Sequence, residues 1–442
     1  MNGASTMKKF LLAGAALAIG ALSSAAALAQ SAASQTILIQ NARLITSGPQ
    51  GVIENGDVLL RDGVIAGVGV DLAAPEGANV IDAAGRTITA GFIAPFSQLG
   101  IEEISLDREA NDASPDPGFP LSAALDSLDA YNPTSSVIAV ERAGGITRAL
   151  ISPQAGDKLF AGKAAVIDLS GRVASVTKAN AAQLAMAGYS GAARSGDTRM
   201  GAWAMLREYL SEAASYAANP RDYLLRKRED RFFISDLEAL GPVVAGREPL
   251  IISANSAADI RNVIRLKSDY SLNVIILGGS EAWRVARELA AANIPVILDA
   301  MQNLPTQFED LGSTMANAAR LQAAGVTIAF FNDGGTPHNM RLLPQYAGNA
   351  VAHGLPYDAA IAALTINPAK MFGVDAKLGS VEIGKAGDIV VWDGDPLEVT
   401  TRPVAVFIDG RAMSMENRQT KLRDRYKDLS KGDLPFAYRG EE

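Results

Sequence analysis

The sequence predicts an α/β fold: a (β/α)8 TIM-type barrel with a composite β-sandwich side domain built from both chain ends. Three observations carry this. Through the middle of the 442 residues, short apolar runs alternate with helix-length amphipathic stretches, the pattern of a parallel sheet covered by helices. Near both ends, short alternating runs are separated by turns containing Gly and Pro. No Gly-rich dinucleotide fingerprint follows a strand-like run, and the repeat continues for about eight units, which favours a closed barrel over an open sheet.

Taken in order, the first segment is of a different kind. Lys8 and Lys9 precede an apolar run at 10–22, followed by small residues up to Ala29. That is the build of a secretory signal peptide over residues 1–29, with Met7 as an alternative start; the apolar run is shorter than the ~20 residues that span a bilayer. The expectation is an exported protein, periplasmic or secreted, with no membrane span.

Residues 36–45, 57–68 and 79–89 read as strands of a β module, and a matching set returns at 388–392 and 403–408, with a turn at Asp409-Gly410. The side domain is therefore expected to combine 36–90 with 378–413. Between them, 91–377 form the barrel. Its clearest strand-like runs are 249–253, 273–277, 294–298 and 326–331; 146–151 and 164–169 are counted as further units. Residues 107–129, rich in Pro and acidic side chains, read as a long loop at the barrel mouth. Residues 209–240 read as an exposed charged helix, with Arg226 to Arg231 on its solvated face. The tail, 414–442, is expected to be helical.

Composition excludes several classes. Hydrophobic residues are 48% of the chain and charged residues 20%, ordinary globular usage. A net charge of −8 with scattered Lys and Arg gives no basic surface for nucleic acid. There is no Cys and there are only two His, so an exported chain would carry no disulfide, and any metal would depend on His, Asp, Glu or a modified Lys.

Three segments carry a family resemblance. The run Gly91-Phe92-Ile93-Ala94-Pro95-Phe96-Ser97-Gln98-Leu99-Gly100 resembles the first barrel strand of the amidohydrolase superfamily. Thr365-Ile366-Asn367-Pro368-Ala369, with Gly379-Ser380-Val381-Glu382-Ile383-Gly384-Lys385-Ala386-Gly387-Asp388, is similar to that family's closing signature. Residues 333–343 and 348–355 look like the eighth strand and following helix of its imidazolonepropionase-like branch. The resemblance implies a barrel with a composite β domain and metal-assisted hydrolysis of non-peptide carbon-nitrogen bonds. One or two divalent ions at the C-terminal strand ends would lower the pKa of a bound water.

Carried over residue by residue, the metal ligands are missing. The two histidines of strand one fall on Phe96 and Gln98, the carboxylated lysine on Gln183, and the histidines of strands five and six on Ser253 and Gly278, with Asn255 beyond Ser253. Phe and Gly cannot ligate, and Ser or Gln is a weak neutral donor in a site that relies on imidazole. Only Asp333 stands where the family has its proton acceptor. No cofactor is expected, and zinc or another divalent ion only if this alignment is wrong.

Both histidines have a plain reading. His353 is a helix-end residue, and His338 hydrogen-bonds backbone in a loop; alternatively His338 pairs with Asp333 as a metal-free acid and base. Asp333 could equally anchor its loop. Glu102, Glu103, Asp107 and Asp112 form an acidic cluster near the mouth that could attract calcium or magnesium. Ser97, Gln98, Ser253, Asn255 and Asn339 are candidates for contacting a ligand. Two readings of function follow: a family member that has lost its metal centre and serves as a non-catalytic subunit or binder of a small amide-like ligand; or a hydrolase working through Asp333 and His338. A homo-oligomer, or association with a metal-competent relative, would accommodate the first.

Overall fold

The computed structural model describes residues 36–226, 232–332 and 338–427. The expected leader, Asp333, residues 227–231 of the charged run and the end of the tail lie outside the described residues.

The chain opens with β1 (Ile37–Ile45), β2 (Val52–Arg61), β3 (Val64–Gly69), β4 (Asn79–Asp82) and β5 (Thr87–Ala90). The run expected as one strand at 57–68 is a hairpin. Asp62 and Gly63 both adopt positive φ, 54° and 85°, the two-residue turn whose twist suits antiparallel neighbours. The run at 79–89 likewise breaks between β4 and β5. The barrel strands follow: β6 (Phe92–Ser97), β7 (Ile146–Ile151), β8 (Phe160–Asp168), β9 (Val176–Met186), β10 (Leu250–Ala254), β11 (Val274–Gly278), β12 (Val296–Leu298) and β13 (Ile328–Phe330). Last come β14 (Ile389–Trp392), β15 (Pro403–Ile408) and β16 (Arg411–Ala412).

These strands make two sheets. One runs β16-β15-β14-β5-β1-β2-β3, with β4 on β1; β5 and β14 pair antiparallel, so both ends of the chain share this sheet. The other runs in sequence from β6 to β13, a nearly closed barrel, and the predicted fold class holds. One strand departs from the expected parallel repeat. β8 is antiparallel to both β7 and β9, while β9 to β13 are parallel. The links at 152–159 and 169–175 are too short for the dozen or more residues that a parallel crossover needs.

Alternation along the strands divides the barrel core. Leu184, Ile251, Ile275, Leu277, Ile297, Ala329 and Phe331 cluster inside; Leu250, Ile252, Val274, Ile276, Leu298 and Phe330 face the outer helices. The stretch 209–240 is not one exposed helix. It holds the end of helix Arg199–Ala218, which buries Trp203, Leu206 and Leu210, then helix Pro220–Arg226 and the start of helix Ile234–Val244, which buries Leu237 and Leu240. Asp236 accepts hydrogen bonds from the Ser122 and Ala124 amides, pinning the 107–129 loop to that helix. The helix of the tail, Arg418–Tyr426, is capped by a reciprocal Asn417–Thr420 box and buries nothing.

Sheet and barrel are fastened through a buried ion cluster. Arg148 on β7 donates to both oxygens of Asp388, at 2.6 and 3.0 Å, and to Asp409 at 2.6 Å. Asp388 of the closing signature thus serves as a structural anchor.

Candidate functional site

The inward positions at the C-terminal ends of the strands surround a cavity of about 290 Å3. β6 contributes Phe96 and, just past its end, Gln98; β9 contributes Leu184 and Met186; β10 and the residue beyond it, Ser253 and Asn255; β11, Leu277 and Gly278; and the end of β13, Phe331 and Asn332. Loops and short helices complete the wall with Gln154, Ala155, Ser190, Arg194, Gln307 and Glu309. This is the face on which barrel proteins of this kind carry their sites.

Of the residues singled out in the sequence, the structure brings Phe96, Gln98, Ser253, Asn255 and Gly278 together here. Others fall elsewhere. Ser97 turns away, its hydroxyl donating to the Leu150 carbonyl at 2.9 Å. Gln183 is one residue out of register for the lysine position: it faces outward, its amide donating to the Ala123 carbonyl at 2.9 Å, while apolar Leu184 and Met186 face the cavity. His338 is exposed and Asn339 half-buried, and neither lines the cavity. His353 caps helix Leu343–Ala352, its Nδ1 2.8 Å from the Asn349 carbonyl. In the acidic cluster, Glu102 is held by Ser105, Glu103 by Ser136, and Asp107 caps its own short helix.

The described residues do not fit the divalent ion that the resemblance implies. Among the described residues, no group of three or more His, Asp or Glu side chains converges on a metal position. Gly278 shows why a ligand has no room on β11. Its φ is +94°, and a Cβ there would lie 2.3 Å from Asn255 Oδ1. The space next to this strand end is taken by the Asn255 amide, whose Nδ2 donates to Glu309 Oε1 at 3.2 Å and whose Oδ1 lies 3.1 Å from the Ser280 hydroxyl, which also reaches Gln302 Oε1 at 2.7 Å and Asp310 Oδ1 at 2.9 Å.

Glu309 was not legible in the sequence. It is 4% exposed, and its second oxygen accepts from the Tyr189 amide at 3.1 Å. Burial pushes its carboxyl above the usual range, with Asp310 and Asp259 adding to the effect. The one available signal was the long polar stretch between the runs at 294–298 and 314–324, since long ordered loops tend to be functional. Arg194 was missed as well; it donates to the carbonyls of Ala155, Gly156 and Ser190 and so ties two walls of the mouth together. Phe96 and Phe331 pack edge to face with centroids 6.2 Å apart. Gln98 is 2% exposed, and its Nε2 is buried without an acceptor. The cavity wall is made of amides, hydroxyls, two rings, the Arg194 guanidinium and one buried carboxyl.

The comparisons bear on what this site descends from. The model of the amidohydrolase family matches residues 264–413. An amidohydrolase structure from Thermotoga maritima superposes with a TM-score of 0.76 at 26% identity, covering 86% of this chain and 99% of that one. The chain belongs to the amidohydrolase superfamily. Within it the chain is imidazolonepropionase-like: imidazolonepropionase from Symbiobacterium thermophilum is 25% identical over 398 residues, 77% of this chain and 84% of the relative. Amidohydrolase tasK of Hapsidospora irregularis is 27% identical over 393 residues, 81% of this chain. The chain spans 40% of that relative's own length. Membership brings the barrel and the flanking sheet; the donor set at the mouth is this chain's own.

Proposed function

We propose that this superfamily member has lost the family's metal centre and acts as a non-catalytic subunit or binder of a small amide-like molecule. One observation carries the reading: at the β11 end, where the superfamily resemblance expects an imidazole, Asn255 occupies the space and is held by Glu309 and Ser280. The other aligned positions support it, because Phe96, Gln98 and Ser253 offer no imidazole or carboxylate to a hard or borderline cation. A hydrogen-bonding mouth of about 290 Å3 suits a small polar ligand near the lower end of ordinary binding sites. The paired mechanism through Asp333 and His338 draws no support from His338, which is exposed. Export to the periplasm or outside the cell, and association with a metal-competent relative, belong to the same proposal. Among the described residues, no helix is long and apolar enough to cross a membrane.

Elemental mass spectrometry of the protein purified without chelator tests this. The expected result is close to zero zinc, manganese or iron per chain. About one equivalent of any of them, with turnover that a chelator abolishes, overturns the proposal.

A further inference from the structure

Three features of the mouth are left unexplained by a merely polar cavity. The first is Gln98 Nε2, a buried donor with no acceptor; leaving such a donor unpaired is destabilising, and an incoming oxygen would recover the loss. The second is Glu309. Each of its oxygens accepts one N–H, from Asn255 and from Tyr189, yet a carboxylate has about four acceptor positions. Among the described residues, no Lys or Arg lies at ion-pair distance from it. Asp259 is near, but Asp259 already holds Arg199 at 3.1 Å. The third is the ring pair Phe96 and Phe331, whose faces attract a cation as well as apolar surface.

Topology sets these features opposite one another. Gln98 follows β6, and Glu309 is held by Asn255 beyond β10; β6 and β10 stand four strands apart in an eight-stranded, nearly closed sheet. Gln98, with its unpaired donor, and Glu309, a carboxyl that no described Lys or Arg pairs, thus line one cavity from opposite sides of the sheet.

Resting on the reading of the mouth as a small-molecule site, we propose that its ligand carries a protonated amine at one end and a carbonyl or carboxylate oxygen at the other, as an α-amino amide or amino acid does. The ammonium sits on Glu309, and the oxygen accepts from Gln98 Nε2. A neutral N–H donor would leave the buried carboxylate uncompensated; an ammonium neutralises it. Burial, Asp310 and Asp259 favour the protonated form of Glu309, so binding of an ammonium requires proton release from that fraction. Arg194 lines the same cavity, and Arg199 lies behind Asp259; both cations are already engaged. Affinity for the cationic ligand accordingly rises with pH as Glu309 ionises, whereas affinity for an uncharged analogue does not.

Titration calorimetry on the whole chain with three probes tests this: L-leucine amide, N-acetyl-L-leucine amide, which lacks the cation, and 3-methylbutylamine, which lacks the oxygen. Leucine amide is expected to bind at least tenfold more tightly than either. Glu309→Gln should reduce its advantage over the acetylated probe below threefold, and Gln98→Met its advantage over the plain amine, with circular dichroism confirming that both variants fold. Equal or tighter binding of N-acetyl-L-leucine amide, or no binding of any probe, overturns the proposal. Ammonia release from leucine amide that a chelator abolishes would instead sink the metal-free reading while leaving the ligand class standing.

Discussion

At the residue scale, Gly278 carries more of the site's character than any charged group. Its positive φ and the 2.3 Å that would separate a Cβ from Asn255 Oδ1 exclude every side chain, including the imidazole this position has in metal-bearing relatives by resemblance. Gly278→Ala is expected to destabilise the protein by about 1–3 kcal/mol, the range for a strained backbone position, read as a lower urea midpoint. Truncating Asn255 to Ala in the same chain should recover part of the loss; an additive double variant would show that the two residues do not press on one another. Single residues also mark the limit of what the sequence carries. The motif around Gly91 to Gly100 located Phe96 and Gln98 because it fixes strand, register and direction together. Gln183 had no such motif, and with a side-chain period of two a slip of one residue moved it from the cavity to the outer face. Glu309 is hydrogen-bonded by residues 54 and 120 positions away in the chain, and no local pattern encodes such a contact.

At the scale of elements, strand polarity was the weak point. The runs at 146–151 and 164–169 were legible as strands, but an apolar run reads the same in either direction, and β8 proved antiparallel. The lengths of the links were the usable signal. Another buried carboxyl lies just before β10. Glu248 is 5% exposed, with Oε1 unpartnered; burial pushes it up to about 7 against the pull of Lys163 and Lys178, with Asp126 reinforcing burial. A carboxyl raised in the folded state contributes stability that is fully present below its ordinary value of 4.5 and is lost as pH rises through about 7. Glu248→Gln, which stays neutral, should match the parent near pH 4.5 and exceed it above pH 7 by about 3.5 kcal/mol, because each tenfold change in proton affinity between the folded and unfolded chain is worth about 1.4 kcal/mol and the shift from 4.5 to about 7 spans about two and a half of them. Equal urea midpoints at both pH values would show that Glu248 is paired after all.

For the whole molecule, the joint between sheet and barrel rests on Arg148, only 5% exposed, bound to Asp388 and Asp409. Removing one partner of a buried ion pair costs about 3–5 kcal/mol. Arg148→Met should therefore lower stability by that amount and separate the unfolding of the flanking sheet from that of the barrel, visible as a second calorimetric transition. A single, unshifted transition would mean that the apolar contact of Phe92 with Trp392, 5.1 Å between centroids, suffices alone. The reversed strand has a mechanical result as well. Because β7 and β8 run in opposite directions, the segment 152–159 that brings Gln154 and Ala155 to the mouth is a hairpin tip, braced at both roots by one ladder of hydrogen bonds and clamped by Arg194. The opposite wall, which delivers Glu309, hangs on a stretch at 299–313 with one short helical turn and with Leu304 and Phe308 bare to solvent. The mouth therefore has one wall held by a strand ladder and one held by the side-chain bonds of Glu309 and Asp310.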